Sequence, residues 1–292
     1  MKILVVGAGI MGSGISQVLA LNNHNVILGD VDESLLKTSI DAIKEGPYGL
    51  IRLVEKGKLK EDEVVKVLSR IKTSVDYSNN CEDVELVIEA VTENPQVKKN
   101  VFNKLDKMCP EKTIFVSNTS SILISELATS VKRKDRFAGM HWFNPAPIMP
   151  LIEVVKGPLT SEQTLSFIVE LSKSLGKTPI IVNDSPGFYT TRFIIATLLE
   201  AIRMFEEGIA GIKEIDEMTK LGYRHPMGPF ELMDLIGLDT VLHISEYLYE
   251  NLGKEQFKPP ITLKKLVLSG YLGDPKVKRG SKGGWYSFYI RS

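Results

Sequence analysis

Three glycines lie in one turn near the N-terminus. This turn and the residues on either side of it constrain the folds that the chain can adopt. The turn spans residues 7–12 and reads G-x-G-x-x-G. An apolar run over 3–6 precedes it, apolar residues at helical spacing follow over 10–22, and a second strand-like run covers 25–28. A strand, a tight turn, a helix and another strand in this order predict two parallel strands, because parallel strands need a crossover between them.

Each glycine of the turn has its own physical reason to be there. Gly7 permits a tight turn, Gly9 lets the backbone approach a pyrophosphate, and Gly12 allows the helix to pack closely on the strand. The helix that begins with Ile10 and Met11 presents amide donors and a positive dipole end to phosphates. The turn therefore predicts a dinucleotide site. The alternatives are a turn that binds no ligand and a flavin site, which nothing else in the chain supports.

Asp30 ends the second strand-like run, 18 residues after Gly12. A carboxylate at this position can accept hydrogen bonds from the hydroxyls of an adenosine ribose, and it repels a 2′-phosphate. We therefore predict NAD, and not NADP, as the cofactor.

Short apolar runs continue to alternate with helical patterns through the first half of the chain. Further strand candidates cover 86–88, 113–116, 137–140, 152–155 and 179–182, and helical patterns cover 95–108 and 161–175. Continuous apolar strands predict an α/β fold with a mainly parallel sheet, covered by helices on both faces. The charged stretch 33–69, with breaks at Gly46-Pro47 and Gly57, is predicted to be a helical excursion standing off the sheet.

The strand signal ends near residue 184. We therefore predict an α/β N-terminal domain over 1–184 and an all-α C-terminal domain over 185–292. Residues 188–207 have the pattern of one long helix that is apolar over most of its circumference. Because such a helix must be buried, the pattern predicts that the C-terminal domain associates with a second subunit.

Composition narrows the choice of partner and compartment. Acidic and basic residues number 36 each, so no overall field favours nucleic acid or a membrane surface. A strand-like run begins directly after Met1 and leaves no room for a leader, which predicts a cytoplasmic protein. Cys81 and Cys109 have neither C-x-x-C spacing nor a histidine cluster nearby, so we expect two reduced thiols and no metal site.

His141 directly follows the strand candidate 137–140, at the edge where open α/β sheets bind ligands. His141 and Glu153 are each six positions from Pro147, so a hairpin about that proline-rich loop would make them cross-strand partners, with Cβ atoms about 4.5–5.5 Å apart. A carboxylate at that range orients an imidazole, which predicts an acid–base pair. The alternative is a histidine at the edge of the core and a surface glutamate.

A polar cluster over residues 117–121 follows the strand candidate 113–116, also at a carboxyl end. Such a cluster is often a helix N-cap, with Ser120 or Ser121 capping the helix that follows. The other interpretation is a contact with substrate.

Taken together, these motifs resemble those of the L-3-hydroxyacyl-CoA dehydrogenase family, which includes 3-hydroxybutyryl-CoA dehydrogenases and, more distantly, lambda-crystallin and L-gulonate dehydrogenase. The matching stretches occur in family order over nearly the whole chain, at residues 7–15, 89–94, 117–121, 136–145, 184–188 and 228–232. The resemblance implies a Rossmann-type N-terminal domain, NAD as cofactor and an acyl-CoA substrate. It also implies a homodimer formed through the C-terminal helical domain.

The resemblance also assigns roles to individual residues. His141 resembles the base that takes the 3-hydroxyl proton, and Glu153 resembles its partner. Residues that resemble those hydrogen-bonded to substrate oxygens are Ser120 and Asn144. Positions that line the cofactor in the family are matched by Glu93, Lys98 and Asn118.

The substrate contacts outside this cluster are less well defined by the sequence. The family usually has an asparagine before the arginine that follows Pro-Gly-Phe, whereas Thr191 precedes Arg192 here. Arg52, Lys56 and Lys58 of the excursion are candidates to meet the CoA phosphates, or else form a solvated helix face.

Two other functions are compatible with the same cofactor motif. The first is a dehydrogenase of free hydroxy acids, similar to L-gulonate dehydrogenase, which has no use for basic residues in the excursion. The second is an NAD-binding protein that is used structurally, as lambda-crystallin is. A structural role does not require Ser120, His141, Asn144 and Glu153 together, which argues against it.

Overall fold

The computed structural model describes residues 1–278 and 280–290, and the chain divides into two compact units, Met1–Ser185 and Pro186–Ser292. Each unit has a core of buried apolar side chains of its own.

The first unit is built on an eight-stranded sheet with the strand order β3-β2-β1-β4-β5-β6-β7-β8. Neighbouring strands are parallel except β6 and β7, which are antiparallel. The strands are β1 (Lys2–Val6), β2 (Asn25–Gly29), β3 (Ile71–Ser74), β4 (Leu86–Glu89), β5 (Ile114–Ser117), β6 (Phe137–Trp142), β7 (Leu151–Lys156) and β8 (Thr178–Asn183). The predicted Rossmann-type sheet is thus confirmed, and β3 is the strand that the sequence pattern did not reveal.

The prediction that helices cover the sheet on both faces is wrong at one edge. Among the described strands, β8 pairs only with β7, and its residues Ile180 and Ile181 are each 52% exposed although their side chains point to opposite faces. An apolar run alone does not distinguish a central strand from an edge strand that is open to solvent.

Helices of the first unit form the crossovers and the excursion. They are α1 (Ile10–Leu21), α2 (Glu33–Glu45), α3 (Leu50–Glu55), α4 (Glu61–Ser69), α5 (Pro95–Asp106), α6 (Ile124–Leu127) and α7 (Glu162–Ser174). The helices of the predicted excursion are confirmed as α2, α3 and α4, with breaks at the predicted glycines, but the expectation that they stand off the sheet is wrong. Leu36, Ile43 and Leu50 are buried in the core of the unit, which anchors the excursion to α1 and the sheet.

The described residues of the second unit form helices and one isolated bridge between Gly273 and Gly283. The helices are α8 (Thr190–Glu206), α9 (Ile212–Tyr223), α10 (Pro229–Ile236), α11 (Leu238–Leu252), α12 (Ile261–Leu268) and α13 (Trp285–Tyr289). The predicted all-α character is therefore confirmed. Among the residues described in both units, no helix is long and apolar enough to cross a membrane.

Helix α8 differs from its prediction in two respects. It begins at Thr190 because Phe188, with φ +50°, lies outside the helical region. It is also not buried all round: Ile195, Leu198 and Ile202 pack into the core, whereas Phe193 is 57% exposed. The helix is amphipathic, and its exposed apolar residues lie on the face away from that core.

Cys81 and Cys109 are joined by a disulfide, with their Cα atoms 4.7 Å apart. The prediction of two reduced thiols is therefore wrong. Cys81 precedes β4 and Cys109 follows α5, so both lie near the amino ends of β4 and β5. Their sequence separation of 28 residues hides this proximity, because it arises from the parallel pairing of the two strands.

Candidate active site

The glycine turn is closed toward the protein and open on one side. Gly7 has φ +106°, and a Cβ there would lie 2.4 Å from the carbonyl oxygen of Ala90. A Cβ on Gly12 would lie 1.7 Å from the carbonyl oxygen of Gly7. At Gly9, by contrast, no atom of the described residues lies within 4 Å of the Cβ position. The turn therefore leaves room for a phosphate group beside the backbone at the start of α1, as a dinucleotide requires.

Asp30 lies next to this turn. Its Oδ2 accepts a hydrogen bond from the backbone N–H of Ala8 at 2.7 Å, and its Oδ1 accepts one from Asp32 at 3.1 Å. The N–H of Gly7 donates to the carbonyl of Gly29 at 2.7 Å, which ties the end of β2 to the turn. Asp30, which was predicted to bind the ribose, is thus held beside the predicted phosphate site.

His141 and Glu153 are cross-strand partners in the antiparallel pair of β6 and β7, so the predicted hairpin register is confirmed. His141 Nδ1 lies 3.0 Å from Glu153 Oε2, and both side chains are buried. Because a carboxylate can only accept, Nδ1 carries the proton, and in a neutral imidazole Nε2 is then the basic nitrogen. The ring of Phe143 contacts the imidazole, with centroids 4.5 Å apart.

The loop after β6 links this pair to the glycine turn. A Cβ on Gly14 of α1 would lie 3.1 Å from both Ala146 Cβ and Pro147 Cδ, so α1 packs directly on the loop. Lys177 Nζ donates to the carbonyl oxygens of Ala146 at 2.7 Å and Met149 at 2.8 Å. Burial lowers the pKa of Lys177. Sequence reasoning did not single out Gly14 or Lys177, since neither belongs to a motif with a local mechanism.

A charge cluster with a buried ion pair, Glu89–Lys98, lies at the carboxyl end of β4. Lys98 Nζ lies 2.7 Å from Glu89 Oε1 and 3.3 Å from Glu93 Oε2. Burial alone would lower the pKa of Lys98, but the two carboxylates outweigh it and raise that pKa. Burial likewise opposes the charge of Glu93, yet Lys98 and hydrogen bonds from Thr119 and Ser120 lower its pKa. Glu93 and Lys98 were predicted to line the cofactor, whereas the role of Glu89 was missed.

The polar cluster after β5 does not cap a helix in the predicted way. Glu93 Oε1 accepts hydrogen bonds from the N–H of Ser120 at 2.9 Å and from Thr119 Oγ1 at 2.6 Å. The N-terminus of α6 is instead capped by Asp184, whose carboxylate accepts from Ile124 and Ser125, both at 2.8 Å. The N-cap interpretation of Ser120 and Ser121 is therefore wrong.

Asn118 connects two of the strands that carry the site. Its Oδ1 accepts a hydrogen bond from the backbone N–H of Trp142 at 2.8 Å, next to His141. Its own N–H donates to the carbonyl of Glu89 at 2.8 Å. Asn118 thus holds the ends of β4, β5 and β6 together.

The strand register puts these groups along one edge of the sheet. Val6, Glu89, Ser117 and Gly139 are successive partners across β1, β4, β5 and β6. The glycine turn follows Val6, the charge cluster includes Glu89, and the polar cluster begins at Ser117. His141 comes two residues after Gly139, and the exposed Asn144 lies in the loop beyond it. The structure therefore brings most of the predicted site residues to the carboxyl edge of one sheet.

Three predicted substrate residues lie outside this edge. Arg52 and Lys56 lie at the end of α3 in the excursion, where Arg52 forms an ion pair with Glu55 at 2.7 Å. Thr191 lies in the first turn of α8 in the second unit. Their roles remain predictions.

Comparison with known proteins finds similarity over both units of the chain. The family description "3-hydroxyacyl-CoA dehydrogenase, NAD binding domain" matches residues 2–185, and the C-terminal domain of the same family matches residues 187–283. The chain is 44% identical over 278 residues to a human protein named mitochondrial hydroxyacyl-coenzyme A dehydrogenase, covering 93% of this chain and 87% of that one.

Two bacterial relatives match over almost their full length. A 3-hydroxybutyryl-CoA dehydrogenase of Clostridioides difficile is 41% identical, with 99% of each chain covered. The crystal structure of an (S)-3-hydroxybutyryl-CoA dehydrogenase from Ralstonia eutropha superposes with a TM-score of 0.89 at 39% identity, covering 97% of this chain and 99% of that one. With both of its domains matched, this chain belongs to the 3-hydroxyacyl-CoA dehydrogenase family and carries that family's NAD-binding domain.

Proposed function

We propose that this protein catalyses the reversible, NAD-dependent oxidation of an L-3-hydroxyacyl-CoA to the 3-oxoacyl-CoA, with a short acyl chain such as that of 3-hydroxybutyryl-CoA. The observation that carries the proposal is the buried His141–Glu153 pair at the carboxyl edge of the sheet. The acyl-CoA substrate class is supported by the relatives, whose names specify hydroxyacyl-CoA and 3-hydroxybutyryl-CoA.

His141 acts as the base in the oxidation direction. Its Nε2 removes the proton of the 3-hydroxyl group while the hydrogen on the same carbon leaves as hydride, so that the C–O single bond becomes a carbonyl. Glu153 accepts the Nδ1–H bond, fixes the tautomer and stabilises the imidazolium that forms. In the reduction direction the imidazolium returns the proton to the oxygen.

The residues around the glycine turn fit NAD. Gly7, Gly9 and Gly12, with the amide groups of Ile10 and Met11, would hold the pyrophosphate, and Asp30 would accept from the ribose hydroxyls. NAD⁺, when bound, supplies the hydride acceptor. We propose that Glu93, Lys98 and Asn118 would contact its nicotinamide half.

Ser120 and Asn144 would hold the substrate oxygens. Ser120 follows β5, and Asn144 follows β6, the strand that carries His141. Thr191, Arg52 and Lys56 are proposed as further substrate contacts, with the two basic side chains meeting the phosphates of CoA. Domain 1–184 would then bind NAD, and domain 185–292 would contribute to the substrate cleft.

Substrate comparison tests the proposal. Absorbance of NADH is followed with acetoacetyl-CoA, with free 3-hydroxybutyrate and with L-gulonate, and then with 3-ketoacyl-CoA substrates from C4 to C16. We expect turnover of the thioester and the highest kcat/KM among the short chains. Preference for an unesterified acid would instead support a free hydroxy-acid dehydrogenase.

We also propose that the protein is a cytoplasmic homodimer that associates through its helical domain. Support for the dimer comes from large apolar side chains of that domain that are exposed in the single chain, among them Phe193, Leu221, Tyr223 and Leu268. Light scattering on the purified protein tests the dimer, since a monomeric mass would contradict it. Cell fractionation tests the location.

A further inference from the structure

A cluster of three charged side chains, Glu89, Lys98 and Glu93, lies between the glycine turn and His141. Glu89, at the end of β4, is 0% exposed, and Lys98 on α5 is 1% exposed. Glu93, whose side chain is 28% exposed, completes the cluster with its Oε2 3.3 Å from Lys98 Nζ. Two carboxylates and one ammonium leave a net charge of −1, and two of the three charged side chains, Glu89 and Lys98, are shielded from water.

Glu89 is held by hydrogen-bond donors on both oxygens. Its Oε1 accepts from Lys98 Nζ at 2.7 Å and from the backbone N–H of Val91 at 2.8 Å. Its Oε2 accepts from Ser117 Oγ at 2.5 Å. Both oxygens therefore act as acceptors, which is the behaviour of an ionised carboxylate.

The position of the cluster relative to a bound dinucleotide follows from the strand order. A dinucleotide that runs from the glycine turn after β1 to His141 on β6 must cross the ends of β4 and β5, which lie between them. With about 4.8 Å between neighbouring strands, that path is roughly 14 Å long. Its nicotinamide end would therefore lie above the strand ends from which Glu89 and Ser117 project.

We propose that Glu89 makes the site bind the oxidised cofactor selectively. The nicotinamide ring carries one positive charge in NAD⁺ and none in NADH, so a net negative charge nearby stabilises the oxidised form more. Because Glu89 is 0% exposed, it would touch neither cofactor nor substrate, and it would act as a positioning residue that holds Lys98 and contributes one of the two negative charges. This inference rests on the proposed function, because it requires NAD to lie in this crevice.

Selective binding of NAD⁺ has a consequence for the reaction. It makes bound NADH a stronger hydride donor than free NADH. Transfer of hydride from NADH to C3 of the 3-oxoacyl group, with the proton of His141 going to the oxygen, is then favoured on the enzyme. The proposed selectivity for NAD⁺ therefore favours formation of the 3-hydroxyacyl thioester on the enzyme.

Glu89→Gln tests the proposal by removing one charge with almost no change of shape. The amide oxygen of glutamine can still accept from Lys98 and Val91, and its NH₂ can donate to Ser117, but the cluster becomes neutral. Dissociation constants for NAD⁺ and NADH are measured by calorimetric titration at pH 7. We expect the ratio Kd(NAD⁺)/Kd(NADH) to rise about tenfold, the effect of one charge over roughly 10 Å at an effective dielectric constant of about 20. For a two-electron couple this equals a shift of about 30 mV.

Two further variants separate charge from structure. Ser117→Ala removes a hydrogen bond to the same carboxylate without changing the charge, and it should leave the ratio unchanged. Glu93→Gln removes the other negative charge and also makes the cluster neutral, so it should raise the ratio as well. If Glu89→Gln does not fold, the ratio in Glu93→Gln tests the proposal. Equal weakening of NAD⁺ and NADH binding in the glutamine variants would overturn the inference and leave the proposed function intact. A wild-type protein that binds neither cofactor would overturn both.

Discussion

At the scale of single residues, Asp30 combines a structural contact with a proposed role in cofactor choice. Its two oxygens accept from Ala8 and Asp32, which fixes the carboxylate beside the glycine turn. In the proposed site, the same negative charge would face the adenosine ribose of a bound dinucleotide. A 2′-phosphate would meet this carboxylate directly.

Asp30→Ala should weaken the preference for NAD over NADP. Removal of the charge relieves the repulsion of the 2′-phosphate, which costs several kcal/mol for like charges in contact, so the ratio of kcat/KM for NAD to that for NADP should fall by at least about tenfold. Asp32→Ala is the matched control, since Asp32 caps α2 through Ser34 and should leave the ratio nearly unchanged. An unaltered ratio in Asp30→Ala would remove this residue from the ribose site.

At the scale of elements, carboxylates from distant parts of the chain cap short helices of the second unit. Asp216 of α9 accepts from the backbone N–H of Phe230 at 2.8 Å, at the start of α10. A Cβ on Gly228 would lie 2.3 Å from Asp216, which explains the glycine in the family stretch 228–232. Asp234 of α10 accepts from Trp285 at 2.8 Å, at the start of α13. The motif over 228–232 therefore has a structural role at the contact between α9 and α10.

Burial of Asp234 should make the stability of the second unit depend on pH. Burial, reinforced by the charges of Asp216 and Asp274, raises the pKa of Asp234 to about 6 although Trp285 donates a hydrogen bond to it. A carboxyl group whose pKa is raised on folding binds more protons in the folded state, so its contribution to stability falls as pH rises from about 4 to about 6. Asp234→Asn removes this contribution.

We therefore expect the difference in Tm, Asp234→Asn minus wild type, to increase between pH 4 and pH 7, measured by calorimetry in matched buffers. The amide that replaces the carboxyl group cannot ionise, so the variant escapes the cost that the wild type incurs above pH 6. A difference that is constant over this range would show that the carboxyl group titrates normally in the folded protein.

The sequence predicts those features whose cause is local and leaves out those that depend on distant partners. The His141–Glu153 pair was predictable because both residues are equally far from the centre of one hairpin loop. By contrast, α6 is capped by Asp184, 60 residues away from Ile124, so a nearby serine was the wrong choice. β3 was missed because an edge strand with one buried residue, Ile71, has no periodic signal.

At the scale of the whole molecule, the link between Cys81 and Cys109 fastens the segment before β4 to the end of α5. The residues around it already belong to the core of the first unit, since Val84, Leu86 and Leu105 are all 0% exposed. A covalent link in such a place acts mainly on the unfolded chain, whose loop of 28 residues it closes.

Thiol counting tests this link. Protein unfolded without reductant should show no free thiols, and reduced protein should show two. Cys81→Ser should lower the free energy of unfolding by about 3–4 kcal/mol relative to the oxidised wild type, as expected for a loop of this length. The reduced wild type is the control and should unfold close to the variant. Two reactive thiols in the unreduced protein would show that the pair is not bonded.

The central claim is that one imidazole, oriented by Glu153, exchanges the proton of the substrate hydroxyl beside the bound cofactor. The most direct test is kcat and NAD affinity of His141→Gln, with His243→Gln on the surface of α11 as the control. We expect kcat to fall by a factor on the order of 10²–10⁴, the usual contribution of one general base, while the Kd for NAD and the activity of the control change little. Turnover in His141→Gln within a few-fold of the wild type would contradict the account.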